Sequence, residues 1–273
     1  EDVFVPRIKE PGFFLEAHHY ERGLAHYSAR CYSEVGDQPV VVDATPWYLY
    51  PASVPARIAG SIGAGGARIV IVLREPVARA VSMYHDQLGR RREERSLAEV
   101  VADELAVDDP EAELAGEAGP GLFRHYVLCG CYAGPVRRYL DTFGAGAVCV
   151  LLAEELWGDQ EAVRRRLEAF LQVALPPAPQ RAANPASRAR LGPVESLLSR
   201  AEASSSPLRT AVGRAPAVAA GVRRAMEAVA RWNQAPTRYD AADPDLRGTL
   251  AAWYEPHNRR LESELGRSLS RWR

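Results

Sequence analysis

The sequence predicts an α/β fold built on a mostly parallel sheet, and three observations predict it. Three short apolar, β-branched runs stand out: PVVVDA (39–44), RIVIVL (68–73) and AVCVLL (147–152). Each is nearly continuous rather than alternating, as expected for parallel strands covered on both faces. Longer stretches with helical spacing separate them, and strands alternating with helices are the signature of a parallel α/β sheet.

Taken in order, the helical stretches carry their own stop signals. VPARIAGSIG ends in glycines, VARAVSMYHDQLGR ends at Gly89 and CYAGPVRRYLDTFG ends at Gly144. Glycine after the last turn closes a helix at little steric cost. A further helix is predicted from about Ser96 to Leu105, followed by an acidic loop. VRRRLEAFL is amphipathic, apolar at Val163, Leu167, Phe170 and Leu171. Residues 175–192 form a Pro-, Ala- and Arg-rich connection of a length that in compact domains often covers a ligand. From about Val194 onward the chain reads as helices only. No internal repeat and no domain-sized linker interrupts it, so residues 1–273 are expected to form one domain whose helical C-terminal portion is 193–273.

The 273 residues are 47% hydrophobic and 25% charged, with a formal net charge of −1, an ordinary globular balance. That neutrality argues against a dedicated nucleic-acid binder, which carries a basic excess. No run approaches the ~18 consecutive apolar residues that span a bilayer. Cys129 and Cys131 are one residue apart, the wrong spacing for a redox pair or zinc knuckle, and Cys149 lies in an apolar run. We expect a reducing, cytoplasmic compartment and no metal. Lys9 is the single lysine beside abundant arginine and alanine, which suggests a GC-rich bacterial genome.

The segment IVIVLREPVARAVSMYHDQL (69–88) carries the chemistry. A strand that hands over to a helix through a short loop makes a phosphate site, because the helix start presents unpaired N–H groups and the positive end of its dipole. Pro76 suits the first helical position. Arg74 can fork onto phosphate oxygens, and Ser82, leaning back along the helix, can add a hydroxyl. The same residues also admit a plain reading. Arg74 can be solvated, Arg79 can pair with Glu75 one turn earlier, and Ser82 can face a neighbouring helix.

LREPVARAVSMY resembles the 3′-phosphate-binding motif R-x-P-x-x-R-x-x-S-x-Y of sulfotransferases that use 3′-phosphoadenosine 5′-phosphosulfate (PAPS). It has company. KEPGFF (9–14) with ERGLAHYSARC (21–31) is similar to a K-E-P-x-F-F … G-L-x-W-Y stretch of bacterial and heparan-sulfate-type enzymes. VVVDATPWYLYPASVPARI (40–58) resembles their second strand and T-P-x-Y segment, and GCYAGPVRRYLDTFG with VCVLLAEELWGD resembles a later run of theirs. WYEPHNRRLESELGRSLSRW (253–272) is similar to their closing helix, so the landmarks cover almost the whole chain in order.

The resemblance implies a P-loop-like fold with a central parallel sheet flanked by helices. It implies PAPS as donor, adenosine 3′,5′-bisphosphate as product and no metal. It implies that Arg74 and Ser82 hold the 3′-phosphate. Arg79 fits the motif too, and can equally serve structurally through Glu75 or a carbonyl. Arg188 and Arg190 sit where relatives have a basic loop over that phosphate, and Tyr132 packs near the same site or in the core. The glutamate of E-P-x-F-F is the family's general base in the heparan-sulfate-type branch, and Glu10 occupies that position; the alternative is a surface pair with Lys9 or Arg7. Histidine is the base in the cytosolic branch, so His19 and His85 are lesser candidates near the acceptor, His18 lying beside His19. Phe13, Phe14, Trp47 and Tyr48 line an acceptor pocket or fill the core.

Two departures matter. The family's phosphosulfate loop, with its catalytic lysine, precedes the K-E-P segment, and the sequence opens directly before that segment. GAGGAR (63–68) precedes a strand and has no lysine, so it cannot substitute. The loop is expected upstream of residue 1. Heparan-modifying relatives also carry a lysine near the T-P segment, where this chain has Asp43 and Ala44. A small-molecule acceptor, a hydroxylated metabolite or glycosylated natural product, is therefore expected rather than an anionic glycan. A non-catalytic nucleotide- or partner-binding protein on the same fold is the rival reading. A P-loop kinase would need a complete Walker loop upstream and a magnesium-binding acid.

Overall fold

The computed structural model describes residues 2–90, 92–116, 119, 121–177, 187–189, 229, 234–236 and 243–272. The chain falls into two compact units. The first comprises Glu1–Ala80, Val101–Gln180 and Pro244–Arg273; the second comprises Val81–Val100 and Arg181–Asp243.

The first unit opens with β1 (Val3–Phe4), α1 (Ala17–Tyr20) and α2 (Leu24–Cys31), then β2 (Val40–Val41), which pairs in parallel with β1. A 3-10 turn at Pro46–Leu49 leads into α3 (Ser53–Ile62). Gly63 ends α3 at φ 76°, and its N–H returns to the Ala59 carbonyl at 2.9 Å. Here the left-handed region is what glycine supplies. β3 (Ile69–Leu73) follows and hands over to α4 (Pro76–Gly89), which runs from the first unit into the second, and α5 (Leu97–Leu105) runs back from the second into the first. α6 (Pro110–Ala115), α7 (Ala133–Phe143), β4 (Val148–Leu152), α8 (Ala153–Gly158), α9 (Gln160–Leu171) and α10 (Pro244–Leu265) complete the first unit.

β3 and β4 pair in parallel over their full length, Ile69 opposite Val148 and Leu73 opposite Leu152. The expected double coverage holds for β4, where every residue is buried. It fails for β3. Val70 and Val72, which alternate to the same face, are 41% and 52% exposed, because that face of the strand lies open to solvent. β2 is also shorter than its apolar run, since the chain leaves the ladder after Val41.

The core of the first unit joins the Phe13–Leu15 segment, Tyr27, α3, the inner face of β3, α7 and the end of α10. α7 packs against both α3 and α10. At Gly130 the fit leaves no room for a side chain: a Cβ there would lie 2.6 Å from the ring of Tyr254, whose hydroxyl donates to the Val127 carbonyl at 2.6 Å. No helix among the described residues is long and apolar enough to cross a membrane.

In the second unit, Ser96 and Glu99 form a reciprocal capping box at the start of α5, the Ser96 N–H reaching the Glu99 carboxylate at 2.7 Å and the Glu99 N–H reaching the Ser96 hydroxyl at 3.3 Å. Arg95 grips Glu93 with two nitrogens at 3.1 and 2.8 Å. β5 (Ser187–Ala189) pairs antiparallel with β6 (Gln234–Pro236). This corrects the expectation of helices only beyond Val194. A three-residue backbone ladder ending in proline offers no apolar alternation for a sequence reading to detect.

Candidate active site

The handover from β3 to α4 is built as the strand–helix pattern predicts, with one correction. The helix start is not open. Glu75 folds its carboxylate onto it, accepting from the Val77 N–H at 2.8 Å and the Ala78 N–H at 2.6 Å. An anion arriving here meets two donors already satisfied. The Glu75 N–H in turn donates to Glu154 Oε1 at 3.0 Å, and the other oxygen of Glu154 accepts from the Trp272 indole at 3.3 Å.

Arg74 is left as the local cation. Its backbone carbonyl accepts the Tyr132 hydroxyl at 2.9 Å, which fixes the loop from a fully buried ring. Its guanidinium carbon lies 5.3 Å from the ring centre of Trp157, an indole that is 64% exposed. Among the described residues Arg74 Nε is buried with no hydrogen-bond partner. Sequence reasoning missed Trp157; only its place five residues after β4 could have signalled it.

Arg79 faces another way. Its Nη2 donates to the Tyr126 carbonyl at 2.9 Å, one of the two structural roles the sequence left open. The same turn is held from its other polar side by Glu104, whose carboxylate accepts the N–H groups of Tyr126, Val127 and Leu128 at 2.7, 2.9 and 2.8 Å. Burial pushes the Glu104 carboxyl up from its ordinary range, opposed by those three N–H groups and by the Arg79 charge. No sequence pattern announced Glu104, since its partners are 22 to 24 residues away.

The Glu10 segment forms a second group of candidate residues. Glu10 is exposed, adopts φ 52° and has its carboxylate 3.8 Å from the Lys9 ammonium. Arg7 pairs instead with Glu34 at 3.2 Å. Phe13, Phe14 and Tyr48 are all buried in the core, 4%, 5% and 8% exposed, so their rings support the segment from within. Phe13 stacks on Tyr27 with centroids 4.3 Å apart, and Phe14 meets Tyr48 edge to face at 5.7 Å. Arg57 Nη1 donates to the Phe14 and Leu15 carbonyls at 3.1 and 3.0 Å.

Beneath this segment lies a hydroxyl network centred on Asp43. Tyr27 and Tyr48 donate to Asp43 Oδ2 at 2.5 and 2.7 Å, and Thr45 donates to Oδ1 at 2.7 Å. Thr45 and Tyr48 then accept the Gly12 and Phe14 N–H groups at 3.2 and 3.3 Å. Burial first, and the Asp43 charge second, push both phenols far above their usual range, so they remain donors. Tyr32, which shares a hydrogen bond with Tyr27, is pushed up to about 12.

His19 lies against His18, ring centroids 4.1 Å apart, and burial followed by the His18 charge lowers its pKa. Glu16, His18 and His19 bring ligand atoms within 4.8 Å of one another, the described group with the means to hold a metal. His85 and Ser82 lie on α4 in the second unit, where His85 meets Tyr84 edge to face at 5.3 Å. Arg188 pairs in β5 opposite Ala235, and Arg190 lies outside the described residues.

No family model matches the chain. Two mouse (Mus musculus) proteins, heparan sulfate glucosamine 3-O-sulfotransferases 3B1 and 3A1, are each 28% identical over 162 residues, 59% of this chain. The chain spans only 38% and 37% of their lengths. The human (Homo sapiens) 3B1 protein is 34% identical over 82 residues, 30% of this chain and 20% of its own. The crystal structure of a sulfotransferase from Alicyclobacillus acidocaldarius superposes over 99% of this chain and 88% of its own, with 25% identity and a TM-score of 0.63. A likeness that runs through both chains nearly end to end, joined to sequence relatives bearing the same family name, gives this α/β chain a sulfotransferase-type fold and makes it similar to proteins of that family.

Proposed function

We propose that the protein transfers a sulfuryl group from PAPS to a hydroxyl of a small molecule or glycosylated natural product in a reducing compartment, where its four free thiols persist. The observation that carries this reading is Arg74. A buried guanidinium nitrogen without a partner costs free energy unless something pairs with it. Arg74 sits at the strand end that the motif assigns to the 3′-phosphate, with its carbonyl held by Tyr132 and its charge over Trp157. An oxyanion is the partner that this donor set fits.

Bound PAPS would supply an activated sulfuryl group, whose transfer forms the acceptor O–S bond while adenosine 3′,5′-bisphosphate leaves with the electrons of the broken S–O bond. Arg74 binds and orients the 3′-phosphate. Glu10 accepts the acceptor's hydroxyl proton on its carboxylate as the oxygen attacks. Tyr132 keeps the Arg74 loop in place, and Phe13 and Phe14 anchor the segment that carries Glu10. Asp43, standing where heparan-modifying relatives place a cation, favours an acceptor without dense negative charge.

A second reading, a nucleotide- or partner-binding protein without catalysis, draws support from Glu10, which is exposed with Lys9 at a loose 3.8 Å. Calorimetric titration of adenosine 3′,5′-bisphosphate into the native-length protein and its Arg74→Ala variant, followed by an acceptor screen with PAPS, separates the two. We expect micromolar or tighter binding, weakened about 100-fold in the variant through lost charge-assisted hydrogen bonds. Binding without transfer to any acceptor would favour the second reading. Equal affinity in both proteins would sink the role of Arg74.

A further inference from the structure

We propose that Asp43 is a positioning residue for Glu10, an inference that rests on the functional reading above. In the sequence this position registers only as a missing cation. In the structure it is the junction through which the backbone of the Glu10 segment is fixed.

The argument begins with conformation. Glu10 has φ 52° and Gly12 has φ 69°. A left-handed non-glycine residue is strained and persists only where its surroundings impose it. The surroundings here are identifiable. The Leu15 N–H closes a turn on the Gly12 carbonyl at 3.1 Å, and the Gly12 and Phe14 N–H groups are taken by Thr45 and Tyr48. A hydroxyl that accepts from a backbone N–H must aim its own proton elsewhere. Both Thr45 and Tyr48 aim theirs at Asp43. The carboxylate therefore sets the rotor of each hydroxyl and so decides that each presents a lone pair to the segment.

The hub has a further arm that stiffens it. Tyr27 donates to the same Asp43 oxygen as Tyr48, its ring stacks on Phe13, and its hydroxyl accepts from that of Tyr32 at 2.8 Å. Asp43 thus reaches the Glu10 segment by two hydrogen-bonded routes and one stacked ring. Lose the acceptor, and the hydroxyls turn to one another or to water, Gly12 and Phe14 lose fixed partners, and Glu10 falls back to an ordinary conformation. Displacing a base by about 1 Å costs on the order of 100-fold in rate.

The test compares the wild-type native-length protein with Asp43→Ala, Asp43→Asn and the near-isosteric Thr45→Val. Amide hydrogen exchange at Gly12 and Phe14 reads the backbone, titration of adenosine 3′,5′-bisphosphate reads the nucleotide site, and steady-state kinetics with PAPS reads turnover. In Asp43→Ala we expect both amides to exchange at least about 10-fold faster and kcat to fall about 10- to 100-fold. The nucleotide Kd should stay within about twofold, showing an intact fold. Asp43→Asn, which keeps one acceptor oxygen, should recover part of the loss, and Thr45→Val should loosen Gly12 alone. If Asp43→Ala keeps the wild-type kcat, or leaves both amides protected, the inference is overturned while the functional reading survives. If the wild type transfers nothing to any acceptor, the functional reading fails and this role fails with it, whatever the amides do.

Discussion

The two candidate regions of the first unit are held by opposite means. The Glu10 segment is fixed through its backbone, by hydroxyls and by Arg57, and its chemical side chain stands out in solvent. The β3–α4 handover is fixed by carboxylates, Glu75 on the helix start and Glu154 on Glu75, and its chemical side chain carries a buried nitrogen with no partner. An exposed glutamate costs nothing and so says little about purpose. A buried, unpaired guanidinium nitrogen costs free energy, and the fold retains it. The difference teaches that the two regions carry unequal marks: Arg74 has a buried nitrogen without a hydrogen-bond partner, a state that Arg138 Nε shares, whereas Glu10 has only the strained backbone beneath it.

The sharpest way to break this comparison is to replace the two motif arginines by methionine in turn. Arg79→Met removes the donor to the Tyr126 carbonyl and the positive neighbour of Glu104, and should cost about 3–5 kcal/mol of stability, as breaking buried charge pairs does. Arg74→Met removes a nitrogen that had no hydrogen-bond partner, together with the contact on the exposed Trp157 ring, and should change the melting temperature little while weakening binding of adenosine 3′,5′-bisphosphate about 100-fold. Thermal melts of both variants decide it. Equal destabilisation would mean that Arg74 is a structural residue after all.

A smaller effect sharpens the nucleotide side. Tyr132→Phe deletes the hydroxyl on the Arg74 carbonyl and should cost about 1 kcal/mol with a few-fold weaker nucleotide binding. A melt and a titration on one sample read both quantities. Stability lost with affinity intact would free Arg74 from dependence on that anchor.

The smallest effect is a difference in pH response. His19, beside the Glu10 segment, has its pKa lowered, so the fold favours its neutral form. Its contribution is present above about pH 6.5 and is lost as pH falls through that value. Glu104, beneath the Arg79 turn, has its pKa raised, so its contribution runs the other way and is lost as pH rises above about 4.5. Melting temperatures from pH 4 to 8 should lose part of the acid-side slope in His19→Gln and gain relative stability at the upper end in Glu104→Gln. Identical profiles in all three proteins would contradict both directions.

Much of this was legible before any coordinates. β3 and β4 begin within one residue of their apolar runs because local pattern and tertiary burial agree there. Gly63 and Gly144 end α3 and α7 because their left-handed backbone is a local requirement. The motif arginines were visible too, but not the division of labour between them, which depends on a carbonyl 47 residues from Arg79. Nor were the helix cap by Glu75, the Glu104 cradle or the Asp43 junction visible. Each is a side chain meeting partners that chain geometry alone brings near, and no periodicity encodes such meetings. The β5–β6 ladder escaped for a simpler reason, being three residues long.

The route from Glu75 through Glu154 to Trp272 also bears on the order in which the protein is made. Tyr132, which holds the Arg74 carbonyl, emerges from the ribosome 58 residues after it. Glu154 comes 79 residues after Glu75, and Trp272 another 118 after that. At about 5–20 residues per second, the strand end waits on the order of 10–40 s for its last brace. Throughout that interval the strand end that carries Arg74 lacks part of the bracing it has in the finished fold. The full set of anchors on the β3–α4 handover is thus completed long after Arg74 itself has been made.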